Sequence, residues 1–456
     1  MVNLLADISS LADITGKVLV QTFTADEVLS PYVYVFYAAF LVSFFFTPIM
    51  RAVAMHYGII DKPDLTRKIH REPVAYLGGA AVFLGWIFGL AMSRLVYMHR
   101  VGGGGDEHVH VQFSIVVGAA VIVVIGLWDD IKSIRPKMKI AGQVAAAVGM
   151  LSQGVGLHAA DPMLGVIGER IQLYLHGSVV PGVAFFPPIV IYICSSALVI
   201  ALVVGCCNAT NLMDGLDGLC GGVTGIIAAG FLFLAVHIAM YNAPTSIAPD
   251  AVRIVLGLAL LGGVLGFIPY NFNPASIFMG DTGSMFLGYA IAAQIILMAE
   301  QQPRWFLAGM VMFALPILDT SLAFVRRYVN KRPFFSADKH HIHHQLMARG
   351  LTVKKTVLVL YAMAIGFTLL GGTIAVMRTR YAGAVYIVIF GSIVVAAYKM
   401  GMVHERPRVA EAKHLDAADA VQPASDIEPS KVLEVPDQKK PKSSDDPPGT
   451  SKDRAA

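Results

Sequence analysis

The sequence is poor in charge. Only 14% of its 456 residues are Asp, Glu, Lys or Arg, while 56% are hydrophobic. Soluble domains carry about 25% charged residues, so the composition excludes an ordinary water-soluble globule and points to a chain solvated by lipid. Cysteine is scarce too. Cys194, Cys206, Cys207 and Cys220 lie in or beside apolar runs and form no CxxC pair, which speaks against a disulfide framework or a thiolate metal centre. No G-x-x-x-x-G-K-[ST] segment occurs, which removes a Walker-type ATPase. The net charge of +4 is too small to mark a nucleic-acid surface and suits the basic loops of a membrane protein. Residues 1–30 mix Asp7, Asp13, Lys17, Asp26 and Glu27 among apolar residues. They lack a basic n-region and a clean apolar core, so they read as an N-terminal tail and not a signal peptide. No internal repeat is visible, which weakens the case for a repeat-built transporter.

What the sequence does hold is apolar runs. A spanning helix needs about 20 mostly apolar residues, and about eleven segments qualify. They begin near Tyr32, Tyr76, Gln112, Lys139, Phe185, Gly218, Ala251, Gly283, Arg304, Thr356 and Ala382. The expected fold is all-α, a polytopic transmembrane helical bundle over residues 31–402 that forms the catalytic domain. Basic residues divide unevenly between alternate connections. One side holds Arg51, Lys62, Arg67, Lys68 and Arg71, then Lys132, Arg135 and Lys137, then the run from Arg326 to Lys355. The other holds little beyond Arg100, Arg170, Arg253, Arg304, Arg378 and Arg380. The positive-inside rule makes the first side cytoplasmic, with the N-terminus outside and the C-terminus cytoplasmic. Residues 403–456 are rich in Lys, Asp, Pro and Ser. They carry too few apolar residues to offset ordering entropy and are expected to form a disordered cytoplasmic tail.

Five polar segments interrupt the apolar pattern: "GIIDKPDLTRKIHREPVAYLGG", "GLWDDIKSIRPKMK", "NATNLMDGLDGL", "NFNPASIFMGDTGS" and "RRYVNKRPFFSADKHHIHHQL". Under the expected span order all five fall on the cytoplasmic side, so distant loops can meet in one shallow site. Many aspartates converging there are costly unless a cation neutralises them. Asp129 and Asp130 are adjacent at a span end, with Lys132, Arg135, Lys137 and Lys139 close behind. They suit a Mg²⁺- or phosphate-handling pair, or else a solvated loop start balanced by Lys132. Asn208, Asn211, Asp214 and Asp217 recur every third residue, so neighbours share a helical face. Their hard oxygens suit Mg²⁺ better than Zn²⁺, although polar residues at a capped helix start would look alike. Asp281 stands between Gly280 and Gly283 at a helix start, where capping competes with ligand binding as its role. Phe278, three residues earlier, either stacks on a base or simply packs. In the last segment His341 and His344 share a face, which raises a Zn²⁺ site. No cysteine or third outlying ligand supports one, and the arginines and lysines upstream favour an anion-binding surface.

With these segments in this order, the chain resembles the polyprenyl-phosphate N-acetylhexosamine-1-phosphate transferases, over residues from about Tyr32 to Met400. The "HIHH" form resembles the branch that uses UDP-GlcNAc or related sugars for surface polymers. The phospho-muramyl-pentapeptide transferase branch is the alternative; it has a small hydroxyl residue where Tyr76 stands here. The resemblance implies transfer of a sugar 1-phosphate from a UDP-sugar to undecaprenyl or another polyprenyl phosphate, with release of UMP. It implies a cell-membrane enzyme with a cytoplasmic active site, dependent on Mg²⁺ with Mn²⁺ able to substitute, and it leaves a homodimer open. By the same resemblance Asn211 and Asp281 are metal ligands, Asp129 and Asp130 the acidic pair near the lipid phosphate, and Lys139 a phosphate-binding cation. Asp217 and Phe278 are uracil contacts, His341, His343 and His344 line the sugar-nucleotide pocket, and Arg71 is a substrate contact. Asp214 is placed with the substrate by its motif, without a defined role. The rival from another class, an ion-coupled transporter, would need ionisable residues near the bilayer midplane, and the spans supply only Arg94 and Asp319.

Overall fold

A computed structural model describes residues 24–61, 73–101, 111–179, 184–241, 247–331 and 341–399. Arg71 and the expected tail 403–456 lie outside the described residues.

The described chain is almost entirely helical. In order the helices are α1 (Ala25–Leu29), α2 (Val33–Tyr57), α3 (Gly78–Val101), α4 (Phe113–Lys132), α5 (Pro136–Ser152), α6 (Asp161–His176), α7 (Pro188–Met213), α8 (Leu219–Tyr241), α9 (Ile247–Asn271), α10 (Gly280–Ala299), α11 (Pro303–Met312), α12 (Ala314–Val329), α13 (Ile342–Ala348), α14 (Val353–Val376) and α15 (Thr379–Lys399). Two short antiparallel strands, β1 (Ile60–Asp61) and β2 (Val74–Ala75), pair Ile60 with Ala75 and Asp61 with Val74.

Each of the eleven expected segments is helical. Eight of the described helices are long and apolar enough to cross a membrane, or nine if the bent pair α11–α12 is one span. That pair turns by 72°, at Phe313. Helix α5 has 17 residues, and neither it nor α15 is among the eight. Helix α6 was not foreseen. It has 16 residues, too few to span, and leaves Tyr174 89% exposed.

Helix α10 is the axis of the bundle. All of its residues are buried except Asp281, at its first turn. It packs against α3, α4, α7, α8, α9 and α11. Membrane helices approach closely where small residues leave room, and α10 is gripped in this way. A Cβ on Gly79 of α3 would stand 2.1 Å from the Gly283 nitrogen, and one on Gly126 of α4 would stand 2.5 Å from Thr282 Cα. At the far end of α10, Arg253 donates to the Leu297 carbonyl at 3.2 Å. A cation among the last carbonyls satisfies groups that the helix itself leaves unpaired. Apolar side chains such as Phe45, Phe233 and Ile387 face outward, as lipid-facing surfaces require.

Candidate active site

Four helices bring polar side chains to the N-terminal end of α10. Asp129 and Asp130 come from the last turn of α4, Lys139 from the first turn of α5, Asn211 from the last turn of α7, and Asp281 from α10 itself. The Lys139 ammonium lies between two carboxylates, paired with Asp129 Oδ2 at 2.6 Å and with Asp281 Oδ2. The other Asp281 oxygen accepts from Asn211 Nδ2 at 2.8 Å, and the same nitrogen reaches Ser284 Oγ at 3.0 Å. Asp129 Oδ1 accepts the Ile134 N–H at 2.7 Å, which fixes the turn joining α4 to α5.

Asp130 is used differently. Its Oδ1 accepts the Asp281 N–H at 2.8 Å, and its Oδ2 accepts the Thr282 N–H at 3.0 Å and the Thr282 hydroxyl at 2.5 Å. The first N–H groups of a helix have no partner within it, so Asp130 caps α10 from a neighbouring helix with the charge its dipole favours. Gly280 permits this approach. Its φ is +72°, and a Cβ there would stand 2.7 Å from Asp130 Oδ2.

Asp214 is the C-cap residue of α7. Desolvation, then the charges of Asp281, Asp130 and Asp217, push its carboxyl up to about 8. Asp214 thus stands out of water in the field of three other carboxylates, while the Lys139 ammonium is engaged by Asp129 and Asp281.

The two glycine-rich turns are tied into one unit. Asp217 Oδ2 accepts from Asn273 Nδ2 at 2.9 Å and from the Ala275 N–H at 3.1 Å. Buried Asn271 accepts the Gly218 N–H at 3.1 Å and donates to the Ile277 carbonyl at 3.0 Å. The Tyr361 hydroxyl donates to the Gly218 carbonyl at 2.6 Å. The strand pair closes one edge: the Phe278 N–H donates to the Ala75 carbonyl at 2.8 Å, and the Phe278 ring centroid lies 5.9 Å from that of Tyr76. The Tyr76 hydroxyl hydrogen-bonds to Asp61. Burial, followed by the charges of Asp61 and Asp130, pushes that phenol well above its usual range.

The histidine segment meets the site from the other direction. His341 Nδ1 lies 3.0 Å from Asp319 Oδ2, and Asp319 Oδ1 accepts the Ile342 N–H at 2.8 Å. His343 is 2% exposed, and among the described residues its Nε2 has no hydrogen-bond partner. That nitrogen would stand 2.6 Å from a Cβ on Gly215, between Asp214 and Leu216. Desolvation first, then the neighbouring His344, lower its pKa to about 4, so the ring is neutral at neutral pH. His344 is exposed, with its ring centroid 4.2 Å from that of His343.

Among the described residues no three His, Cys, Asp or Glu side chains are arranged to cage a metal ion, and the Zn²⁺ alternative gains nothing from the structure. Mg²⁺ makes a smaller demand. It keeps several waters and is held by one or two carboxylates together with substrate phosphates. Asp281, with the Asn211 amide beside it at 2.8 Å, fits that donor set.

The structure therefore gathers Asp129, Asp130, Lys139, Asn211, Asp214 and Asp281, with Asp217 and Phe278 in the adjoining turn and His343 against Gly215. Asn271 and Tyr361 were missed as site supports. Asn271 only opens a quoted segment, and nothing marks Tyr361 within its apolar span.

A multi-pass helical membrane protein with a charged site at the end of its central helix is the class defined here. Residues 112–299, which hold every site aspartate from Asp129 to Asp281, match the model of Glycosyl transferase family 4. A Bacillus subtilis protein named "Probable undecaprenyl-phosphate N-acetylglucosaminyl 1-phosphate transferase" is 32% identical over 346 residues, covering 75% of this chain and 85% of its own. Decaprenyl-phosphate N-acetylglucosaminephosphotransferase of Mycobacterium tuberculosis is 31% identical over 406 residues, covering 85% of this chain and 93% of its own. Phospho-N-acetylmuramoyl-pentapeptide-transferase of Bacillus thuringiensis is 29% identical over 322 residues, covering 68% of this chain and 87% of its own. The chain belongs to glycosyl transferase family 4.

Proposed function

We propose that this chain transfers an N-acetylamino-sugar 1-phosphate, GlcNAc 1-phosphate in the first instance, from a UDP-sugar to undecaprenyl or another polyprenyl phosphate, releasing UMP. The reaction would be the first membrane step in making a surface polysaccharide or wall polymer. The observation that carries this reading is Lys139 held between Asp129 and Asp281 at the end of the buried helix α10, with Asn211 on the second Asp281 oxygen. The similarity to two polyprenyl-phosphate GlcNAc phosphotransferases, greater than to the muramoyl-pentapeptide enzyme, supports the choice of sugar.

The chemical problem is charge. The acceptor, a phosphate monoester with a second pKa of about 6, is largely dianionic at neutral pH. It needs no base, so Asp129 and Asp130 have no proton to remove. Lys139 offers the attacking phosphate a cation, and Asp129 sets where that cation sits. Asp130 holds the N-terminus of α10, and so Asp281, in place. Asp281 and Asn211 would hold Mg²⁺, or Mn²⁺ in its stead, which supplies charge neutralisation at the phosphoryl oxygens. Asp217 and Phe278 would take the uracil, with His341, His343, His344 and Arg71 toward the rest of the sugar nucleotide. The basic residues Lys132, Arg135 and Lys137 beside the site favour the cytoplasmic face of the cell membrane.

The test is UMP release by the purified protein from UDP-GlcNAc and undecaprenyl phosphate, alongside other UDP-sugars and UDP-MurNAc-pentapeptide. Release that needs the lipid, stops with EDTA and returns with Mg²⁺ is expected. Release indifferent to the lipid and to EDTA would overturn the reading.

A further inference from the structure

We propose that Asp319 is the positioning residue of the histidine segment. It holds His341 through Nδ1, so that Nε2 is the nitrogen offered to the sugar nucleotide. The inference rests on the function proposed above but concerns a residue outside the set assigned to the site.

Asp319 is 4% exposed and lies in α12, beyond the 72° turn that separates it from α11. A lone carboxylate buried in that position is costly unless its oxygens are satisfied. Both are, and both by one short stretch of chain: Oδ2 by His341 Nδ1 at 3.0 Å and Oδ1 by the Ile342 N–H at 2.8 Å. One side chain thus anchors the start of α13 and fixes the imidazole ring. A carboxylate only accepts, so the shared proton resides on Nδ1. Nε2, on the opposite edge of the ring, makes no hydrogen bond among the described residues. The ring is further held by stacking on His343, with centroids 5.7 Å apart and planes 3° from parallel. His343 in turn abuts Gly215, next to Asp214. The chain of contacts runs from Asp319 through His341 and His343 to the aspartate cluster. An imidazole held on a carboxylate keeps its orientation, which suits a directed contact with the sugar nucleotide.

If Asp319 acts through His341, removing both should cost little more than removing one. We expect Asp319→Asn and His341→Ala each to lower kcat/KM for UDP-GlcNAc by about tenfold or more, and the double variant to fall within about twofold of His341→Ala. Asp319→Glu should restore part of the loss. Costs that multiply in the double variant, or an Asp319→Asn enzyme of wild-type activity, would overturn the proposal. A second readout does not depend on turnover. ¹⁵N spectra of histidine-labelled protein in detergent, with His341 identified from its loss in His341→Ala, should show the proton on Nδ1, and Asp319→Ala should abolish that preference. A neutral His341 protonated on Nε2 in the wild type would sink the proposal even if the enzyme turns over. A wild type that releases no UMP would remove the proposed function and leave this measurement to decide the role of Asp319.

Discussion

Asp130 closes the N-terminus of the helix that begins with Gly280 and Asp281, through the Asp281 N–H at 2.8 Å and the Thr282 N–H at 3.0 Å. The adjacent Asp129 faces Lys139 at 2.6 Å instead. Two neighbouring carboxylates therefore do separate work, one on the scaffold and one on the cation. Asp130→Ala should leave buried amide groups without an acceptor, at about 1–3 kcal/mol. Thermal unfolding in detergent should shift downward along with the loss of activity. An Asp130→Ala protein as stable as the wild type would show that the cap carries no weight.

Lys139 offsets Asp129 and Asp281 together. Lys139→Ala should lower UMP release by about 100-fold or more and lower the Mg²⁺ concentration needed for half-maximal rate, because Asp129 and Asp281, left without their ammonium, attract the divalent ion more strongly. The rate as a function of Mg²⁺ concentration checks this, and an unchanged Mg²⁺ dependence would contradict it.

Gly79 touches the site helix through its backbone alone, its N–H donating to the Met279 carbonyl at 2.9 Å. Its Cβ would stand 2.1 Å from the Gly283 nitrogen, and backbone atoms cannot rotate aside. Gly79→Ala should destabilise by about 1–3 kcal/mol and displace the start of α10. The melting temperature and kcat should fall together.

His343 sets a pH limit. Its folded-state pKa is lowered to about 4 by desolvation and by His344, while an unfolded histidine titrates near 6.5. Between those values the unfolded chain binds the extra proton, so stability falls as pH drops from about 6.5 toward 4. His343→Gln should flatten that part of the stability profile, measured by thermal unfolding across the range.

Much of this architecture was legible in the sequence because lipid imposes a length and a composition on each span. Every expected segment, from the one near Tyr32 to the one near Ala382, is a helix. The gathering of Asp129, Lys139, Asn211 and Asp281 was legible as well, because the expected order of spans put their loops on one side of the bilayer. The spacing of residues did not reveal the division of labour between Asp129 and Asp130. Adjacent residues on a helix point about 100° apart, and only the packing of α4 on α10 decides which one meets the helix end. Tyr361 and Asn271 were silent for a similar reason, since their partners are backbone atoms of Gly218 and Ile277. The amphipathic helix α6 was hidden because it is too short and too polar to register as a span.

The most direct measurement follows the label. Reconstituted protein is given UDP-GlcNAc labelled in the sugar, together with undecaprenyl phosphate, and UMP and lipid-extractable label are counted together. The account predicts one labelled lipid for each UMP in the wild type, and neither product with Asp281→Ala. UMP formed without labelled lipid, or an Asp281→Ala protein at the wild-type rate, would contradict it.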